Sequence, residues 1–178
     1  MKNNKNVFYD KIKYLVIDVD GTMTDGGIYY DDNGNEFKKF NTRDAAGFFA
    51  AKENGIEVIV LTGRKCEATA RRMKELKVNY IYQGVTNKTQ FLDAHMKENR
   101  IRIEEIGYLG DDLNDFSAMK LASFVGCPKD SCEEILEIAD YVSSKNGGEG
   151  AVRDIISYIL KERGQWKKAV DKIYNINI

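Results

Sequence analysis

One histidine and one proline are all that this chain of 178 residues contains of those two types, and its three cysteines form no C-x-x-C pair. With His95 alone, neither an H-E-x-x-H zinc site nor a serine or cysteine triad that borrows a histidine is supported. Its position inside a helix-patterned stretch, residues 89–99, makes it a packing or surface residue. Cys66, Cys127 and Cys132 are odd in number and follow no signal peptide, which fits free thiols in a reducing cytoplasm. No apolar run approaches the roughly 18 residues that a membrane-spanning helix needs. Lysine plus arginine (27) nearly equals aspartate plus glutamate (28), so the formal charge of -1 predicts no nucleic-acid or membrane partner. Neither G-x-G-x-x-G nor G-x-x-x-x-G-K-[ST] occurs, which removes the dinucleotide fingerprint and the P-loop. Catalysis, if present, must rest on carboxylates and a metal.

What is present is enough for one domain, residues 1–178, with 43% hydrophobic residues and a sizeable core. Its organising stretch is Tyr14-Leu15-Val16-Ile17-Asp18-Val19-Asp20-Gly21-Thr22-Met23-Thr24-Asp25-Gly26. A continuous apolar run of this kind fills a strand buried on both faces, and here it breaks into acids, a glycine and hydroxyls. Asp18 and Asp20 are two apart, so on an extended backbone their side chains converge on one side. Such a pair calls for a cation or a retained proton. Asp-x-Asp-Gly alone reads equally well as a strand followed by an acidic turn.

Along the chain, residues 1–10 are polar and expected to be loose. Residues 26–40 read as a hairpin flap, with Asn33-Gly34 supplying the positive backbone angles of a tight turn. Its arms carry Tyr29, Tyr30, Phe37 and Phe40, which should pack on the domain itself or on another subunit. Asn41 and Thr42 offer a helix cap, and that helix ends before Gly55. Strands are expected at 57–61, 78–82, 106–109, 122–127 and 141–142, with helices between them and at 151–162 and 166–174. The tail, 165–178, either covers a hydrophobic edge or reaches a neighbour's pocket. This alternation argues for a parallel sheet with helices on both faces.

In such a sheet, ligands sit outside the carboxyl ends of the strands. Asp18 and Asp20 follow the first strand, Thr62 and Arg64 the second, and Asp111, Asp112 and Asp115 the one beginning at Ile106. Acids and hydroxyls at one rim suit Mg²⁺, which takes oxygen ligands and joins one or two carboxylates to a phosphate. Lys88, at a helix start, would supply balancing charge, although alone it reads as a solvated surface lysine.

Asp18-x-Asp20-Gly21-Thr22-x-Thr24, Thr62-Gly63-Arg64, Lys88 and Gly110-Asp111-Asp112-x-x-Asp115, in that order, resemble the four motifs of the haloacid dehalogenase superfamily of phosphatases. The stretches Lys39-Phe40-Asn41-Thr42-Arg43-Asp44, Tyr82-Gln83-Gly84-Val85-x-x-Lys88 and Gly147-Gly148-Glu149-Gly150-Ala151-Val152-Arg153 are similar to its capless branch, over roughly residues 10–160. The resemblance implies a Rossmann-like three-layer α/β sandwich, with the hairpin as a small insertion after the first strand and no room for a cap. It also implies a Mg²⁺-dependent phosphomonoesterase acting on a phosphorylated sugar acid through an aspartyl-phosphate. By that likeness Asp18 is the nucleophile and Asp20 the acid and base, with Thr62 and Lys88 holding the phosphate oxygens. The metal falls to the Asp18 carboxylate, the Asp20 backbone carbonyl and Asp111, with Asp112 and Asp115 behind them.

Substrate contacts are expected from Thr24, Gly26, Arg43, Gly63, Arg64 and Lys88. For Arg43 and Arg64 the planar fork suits a sugar-acid carboxylate, with a surface ion pair as the alternative. Relatives acting on nine-carbon 9-phosphates carry a glutamate after Thr-Gly. Arg64 therefore favours an eight-carbon octulosonate 8-phosphate as an intermediate of cell-surface sugar biosynthesis. The branch forms homotetramers through its hairpins. A similar domain serves as a non-catalytic tetramerisation module fused to acylneuraminate cytidylyltransferases. Such a module can lose its acids, whereas this chain keeps Asp18, Asp20, Thr62, Lys88 and Asp111 together.

Overall fold

Apolar runs too short for helices become strands here because both of their faces are covered. In the computed structural model, which describes residues 7–177, six of them form one parallel sheet. They are β1 (Tyr14–Ile17), β4 (Glu57–Thr62), β5 (Tyr80–Gln83), β6 (Ile106–Leu109), β7 (Phe124–Cys127) and β8 (Tyr141–Val142), in the order β5-β4-β1-β6-β7-β8. β1 lies between β4 and β6, with Ile17 level with Val60 on one side and Leu109 on the other. From β1 the chain builds outward through β4 and β5, then returns to β1 and builds the other way. The crevice at that reversal, between β1 and β6, is where a ligand site is expected in a sheet of this kind.

Alternation along β1 separates the two faces of the sheet. Leu15 and Ile17 join a core with Phe48 of α1 (Asp44–Glu53), Met73 of α2 (Glu67–Glu75) and Ile155, Ile156 and Ile159 of α6 (Ala151–Glu162). Val16 points the other way, to Leu92 of α3 (Lys88–Asn99), Met119 of α4 (Leu113–Met119) and Ile135 of α5 (Glu133–Ile138). The result is the three-layer α/β sandwich expected. α7 (Trp166–Tyr174) buries Ala169 and Val170 and packs against α1 and α6, so the described part of the tail covers an edge of its own domain. His95 packs among Tyr80, Tyr82 and Phe91. Among the described residues no helix is long and apolar enough to cross a membrane.

Three local expectations change. The hairpin strands, β2 (Tyr29–Tyr30) and β3 (Glu36–Phe37), are joined by a five-residue loop, 31–35, and not by a two-residue turn. Only Gly34 takes a positive φ, +80°. The loop closes on the Asp31 carboxylate, which accepts from the Asn33 and Asn35 amides, so side-chain bonding replaces the tight turn. Neither Asn41 nor Thr42 caps α1: the helix begins at Asp44 with Arg43 as its N-cap residue, and Asn41 Oδ1 accepts from the Arg43 N–H in the turn before it. Of the loose N-terminal stretch, residues 1–6 lie outside the described residues, while Tyr9 is set edge-on to Phe124 and Tyr158. Phe40 bridges to Thr24 and packs on the domain's own core, unlike Tyr29, Tyr30 and Phe37, which stay exposed.

Ile159 is fully buried between α6 and the sheet. Ile159→Ala is therefore expected to lower unfolding free energy by about 2–5 kcal/mol. The check is a drop in urea midpoint at unchanged slope.

Candidate active site

β1 ends at Ile17, the Asp18 N–H still donates to the Leu109 carbonyl of β6, and the backbone then turns: the Met23 and Thr24 amides both donate to the Val19 carbonyl. Asp18 is 2% exposed and accepts from Lys88 Nζ at 2.7 Å. Lys88, the first residue of α3, is placed there by Asn87, whose side chain caps the helix by accepting from the Gln90 N–H. The same ammonium donates to Asp115 Oδ1 at 2.7 Å, and so does the Tyr108 hydroxyl at 2.7 Å. Asp111, two residues beyond β6, accepts from Thr22 Oγ1 at 2.7 Å. Oxygens of Asp18, Asp111 and Asp115 lie within 4.8 Å of one another.

Close backbone approach makes this possible. Gly21 has φ +86°, and a Cβ there would fall 2.0 Å from Asp111 Oδ2. The loop before α6 presses on the same turn: a Cβ on Gly147 would fall 1.8 Å from the Gly21 carbonyl oxygen. Asn41 Nδ2 donates to the Gly148 carbonyl and Asp130 Oδ1 accepts from the Gly147 N–H, which holds that loop down.

Three acids against one ammonium leave the pocket short of positive charge. Burial first, then repulsion from Asp115, pushes the Asp18 carboxyl well above the ordinary value of 3.8. Burial, with Asp115 and Asp112 adding to it, raises Asp111 to about 7. Burial works against the Lys88 charge, but Asp18 and Asp115 outweigh it and hold its pKa above the ordinary value. Two buried oxygens here, Thr62 Oγ1 and Asp115 Oδ2, have no hydrogen-bond partner among the described residues. Buried polar atoms are nearly always satisfied, so a hydroxyl and a carboxylate oxygen left open mark where a ligand belongs. All-oxygen acids, an excess of negative charge and an open hydroxyl suit a hard divalent cation together with an oxyanion.

The remaining expected residues divide. Asp18, Thr62, Lys88 and Asp111 stand at this rim, and Asp115, expected behind them, is one of the three clustered acids. Asp20 parts from Asp18, because the chain has left the extended path: its carboxylate pairs with Lys38 of the flap and is not in the cluster. Asp112 is exposed and turned back to cap α4 through the Leu113 N–H, away from the acids. Thr24 Oγ1 is used inside the turn, donating to the Val19 carbonyl and accepting from the Gly21 and Gly26 amides. Gly26 lies against the Gly21 backbone, and Gly63 is exposed after β4. Arg64 forms an ion pair with Glu36 at 3.0 Å. Arg43 lines a separate groove with Lys145, Gly150 and Arg153. Lys38, Glu36 and Tyr108 were not foreseen. Alternation along the flap, which sets Glu36 and Lys38 opposite Phe37, was the available signal for the first two.

A family model described as haloacid dehalogenase-like hydrolase matches residues 78–156. The chain is 36% identical over 160 residues to 3-deoxy-D-manno-octulosonate 8-phosphate phosphatase KdsC of Escherichia coli strain K12, covering 90% of this chain and 85% of that one. The chain belongs to the haloacid dehalogenase-like hydrolases. Among solved hydrolases of this kind, the 3-deoxy-D-manno-octulosonate 8-phosphate phosphatase of Moraxella catarrhalis, in complex with magnesium, phosphate and KDO, superposes with a TM-score of 0.88 at 35% identity, covering 93% of this chain and 95% of that one. The cobalt-bound phosphatase of Haemophilus influenzae gives 0.84 at 31%, covering 89% and 93%.

For this hydrolase the raised acids predict a pH-dependent response to metal. Folded Asp111 keeps its proton to about pH 7, whereas the unfolded chain releases it near 3.8. The folded state therefore holds more protons across that window, and this group's contribution to stability falls as pH rises through it. A cation replaces the proton. The rise in melting temperature on adding Mg²⁺ should be larger at pH 8 than at pH 5.5 and should shrink at both in Asp111→Asn. Equal rises at the two pH values would contradict the account.

Proposed function

We propose that this chain is a Mg²⁺-dependent phosphatase that hydrolyses 3-deoxy-D-manno-octulosonate 8-phosphate to KDO and phosphate. The observation that carries the reading is the cluster of Asp18, Asp111 and Asp115 at one rim, the first and last of them buried, in a chain 36% identical to a phosphatase of that name. Asp18 and Asp111 would hold the cation with the Asp20 backbone carbonyl. When bound, Mg²⁺ supplies positive charge to the acids and to the phosphoryl oxygens.

A carboxylate oxygen of Asp18 bonds to phosphorus as the bond from phosphorus to the sugar oxygen breaks, and Asp20 gives that oxygen its proton. Water then attacks the aspartyl-phosphate and passes a proton to Asp20, the bond to Asp18 breaks, and phosphate leaves. Lys88 and the open Thr62 hydroxyl receive phosphoryl oxygens, which places positive charge and a donor where negative charge builds. Asp115 and Tyr108 hold Lys88 and its partner in place. Arg64 and Arg43 take the sugar acid's carboxylate, with Thr24, Gly26 and Gly63 shaping the rim. Arg64 uses Nε and Nη2 on Glu36 and Tyr30, which leaves Nη1 for that contact.

The same reading places the protein in the cytoplasm, in keeping with its three free thiols, as an enzyme supplying the sugar acid for lipopolysaccharide. It also assigns a homotetramer to the hairpin, which shows Ile28, Tyr29, Tyr30 and Phe37 to solvent at 47–62% exposure. Such a patch is covered when copies meet with closed symmetry.

Phosphate release from a panel of phosphorylated sugar acids tests the activity. Turnover of the octulosonate 8-phosphate should need Mg²⁺ and fall by at least about 10⁴-fold in Asp18→Asn, since no oxygen nucleophile remains. Full activity in that variant would remove the covalent route. For assembly, Phe37→Glu should lower the mass in sedimentation velocity, and an unchanged tetramer would place the interface elsewhere.

A further inference from the structure

Lys38 belongs to the exposed flap, yet its side chain is only 2% exposed. Its ammonium donates to Asp20 Oδ1 and, at 2.9 Å, to Glu36 Oε1. Glu36 in turn accepts from Arg64 Nε at 3.3 Å and Nη2 at 3.0 Å, and Arg64 Nη2 reaches the Tyr30 hydroxyl at 3.2 Å. Charges alternate without a break from Asp20, after β1, across the flap to Arg64, after β4. Two cations meet two anions, so the line is neutral, and a long side chain gives up its rotamer freedom to close it. Cys66 Sγ, 3.9 Å from the Glu36 carbonyl, seats the same flap strand against the start of α2.

Resting on the assignment of Asp20 as acid and base, we propose that Lys38 is a positioning residue for that step. It grips Oδ1 from the flap side and turns Oδ2 toward the leaving oxygen of the sugar. Glu36 ties this setting to Arg64, so that Asp20 and the residue meeting the substrate's carboxylate are set together. Lys38 supplies the sole hydrogen bond to the Asp20 carboxylate among the described residues, so without it none of them holds that group's rotation. Among the described residues none bonds to Oδ2, which leaves it free to give and take a proton. The grip serves both halves of the reaction: the carbonyl oxygen of a neutral carboxylic acid accepts from an ammonium as a carboxylate oxygen does.

The test compares leaving groups in the Mg²⁺-loaded full chain. Octulosonate 8-phosphate leaves as an alkoxide that needs a proton, whereas p-nitrophenyl phosphate leaves as a stable phenolate that does not. Lys38→Met should lower kcat on the sugar phosphate roughly 10²-fold, the size of effect expected from a misplaced group, with KM little changed. With p-nitrophenyl phosphate, kcat/KM, which the first transfer alone sets, and the Mg²⁺-induced rise in melting temperature should stay near those of the native chain. Lys38→Arg should recover much of the kcat. Glu36→Gln, which keeps the lysine, should show a smaller loss confined to the sugar phosphate. Equal losses of kcat/KM on both substrates, or an unchanged kcat on the sugar phosphate, would overturn the proposal. Asp18→Asn run beside them separates the two levels: if it stays active, the covalent reading fails, and if it is dead while Lys38→Met is fully active, only the role of Lys38 fails.

Discussion

Two buried carboxylates and a half-buried third, answered by a single lysine, form a group that water would relax and that the fold must hold. Asp18 follows β1 while Asp111 and Asp115 follow β6, and only the side-by-side order of those two strands brings the three together. Lys88 binds two of the three and is itself almost wholly buried. Breaking a buried pair of this kind costs about 3–5 kcal/mol, because the partner is left charged and alone. The remaining imbalance is a standing demand for a cation. Gly21 and Gly147 serve that demand by letting one turn lie against Asp111 and a second loop lie against that turn.

The flap supplies what the acid cluster lacks. It has no cap domain to close the pocket, but it brings a buried ammonium to Asp20 and a carboxylate to Arg64. Its two faces differ in purpose. Glu36 and Lys38 turn inward to the motif loops, with Tyr30 paired across from Glu36 and its hydroxyl on Arg64, while Tyr29 and Phe37, paired with each other, are exposed. One two-stranded element thus reaches two of the motif loops, at Asp20 and at Arg64, and leaves aromatic side chains open to solvent.

Much of the fold was legible because buried parallel strands and amphipathic helices leave opposite signatures. The helices at 151–162 and 166–174 have the bounds that their patterns implied. Short edges were harder: β8 has two residues, and the flap loop is held by Asp31, a side-chain effect that no Asn-Gly rule anticipates. In the site, strand ends announced Asp18, Thr62 and Asp111. Asp112 and Asp115 sit in one helical turn, and which of them faces inward depends on how α4 leaves β6. Capping took Asp112 and packing took Asp115.

The sequence alone determined the type of chemistry, since acids and hydroxyls ending apolar strands, with one histidine in the whole chain, leave room for little besides a metal and a phosphate. It determined the layered α/β class for the same local reasons. Tertiary structure decided the partners: that Asp18 meets Lys88, that Asp20 turns away to Lys38, and that Arg64 rests on Glu36. Those contacts join residues 18 to 70 positions apart, and strand order and loop packing select them, through desolvation and close approach that local pattern does not encode.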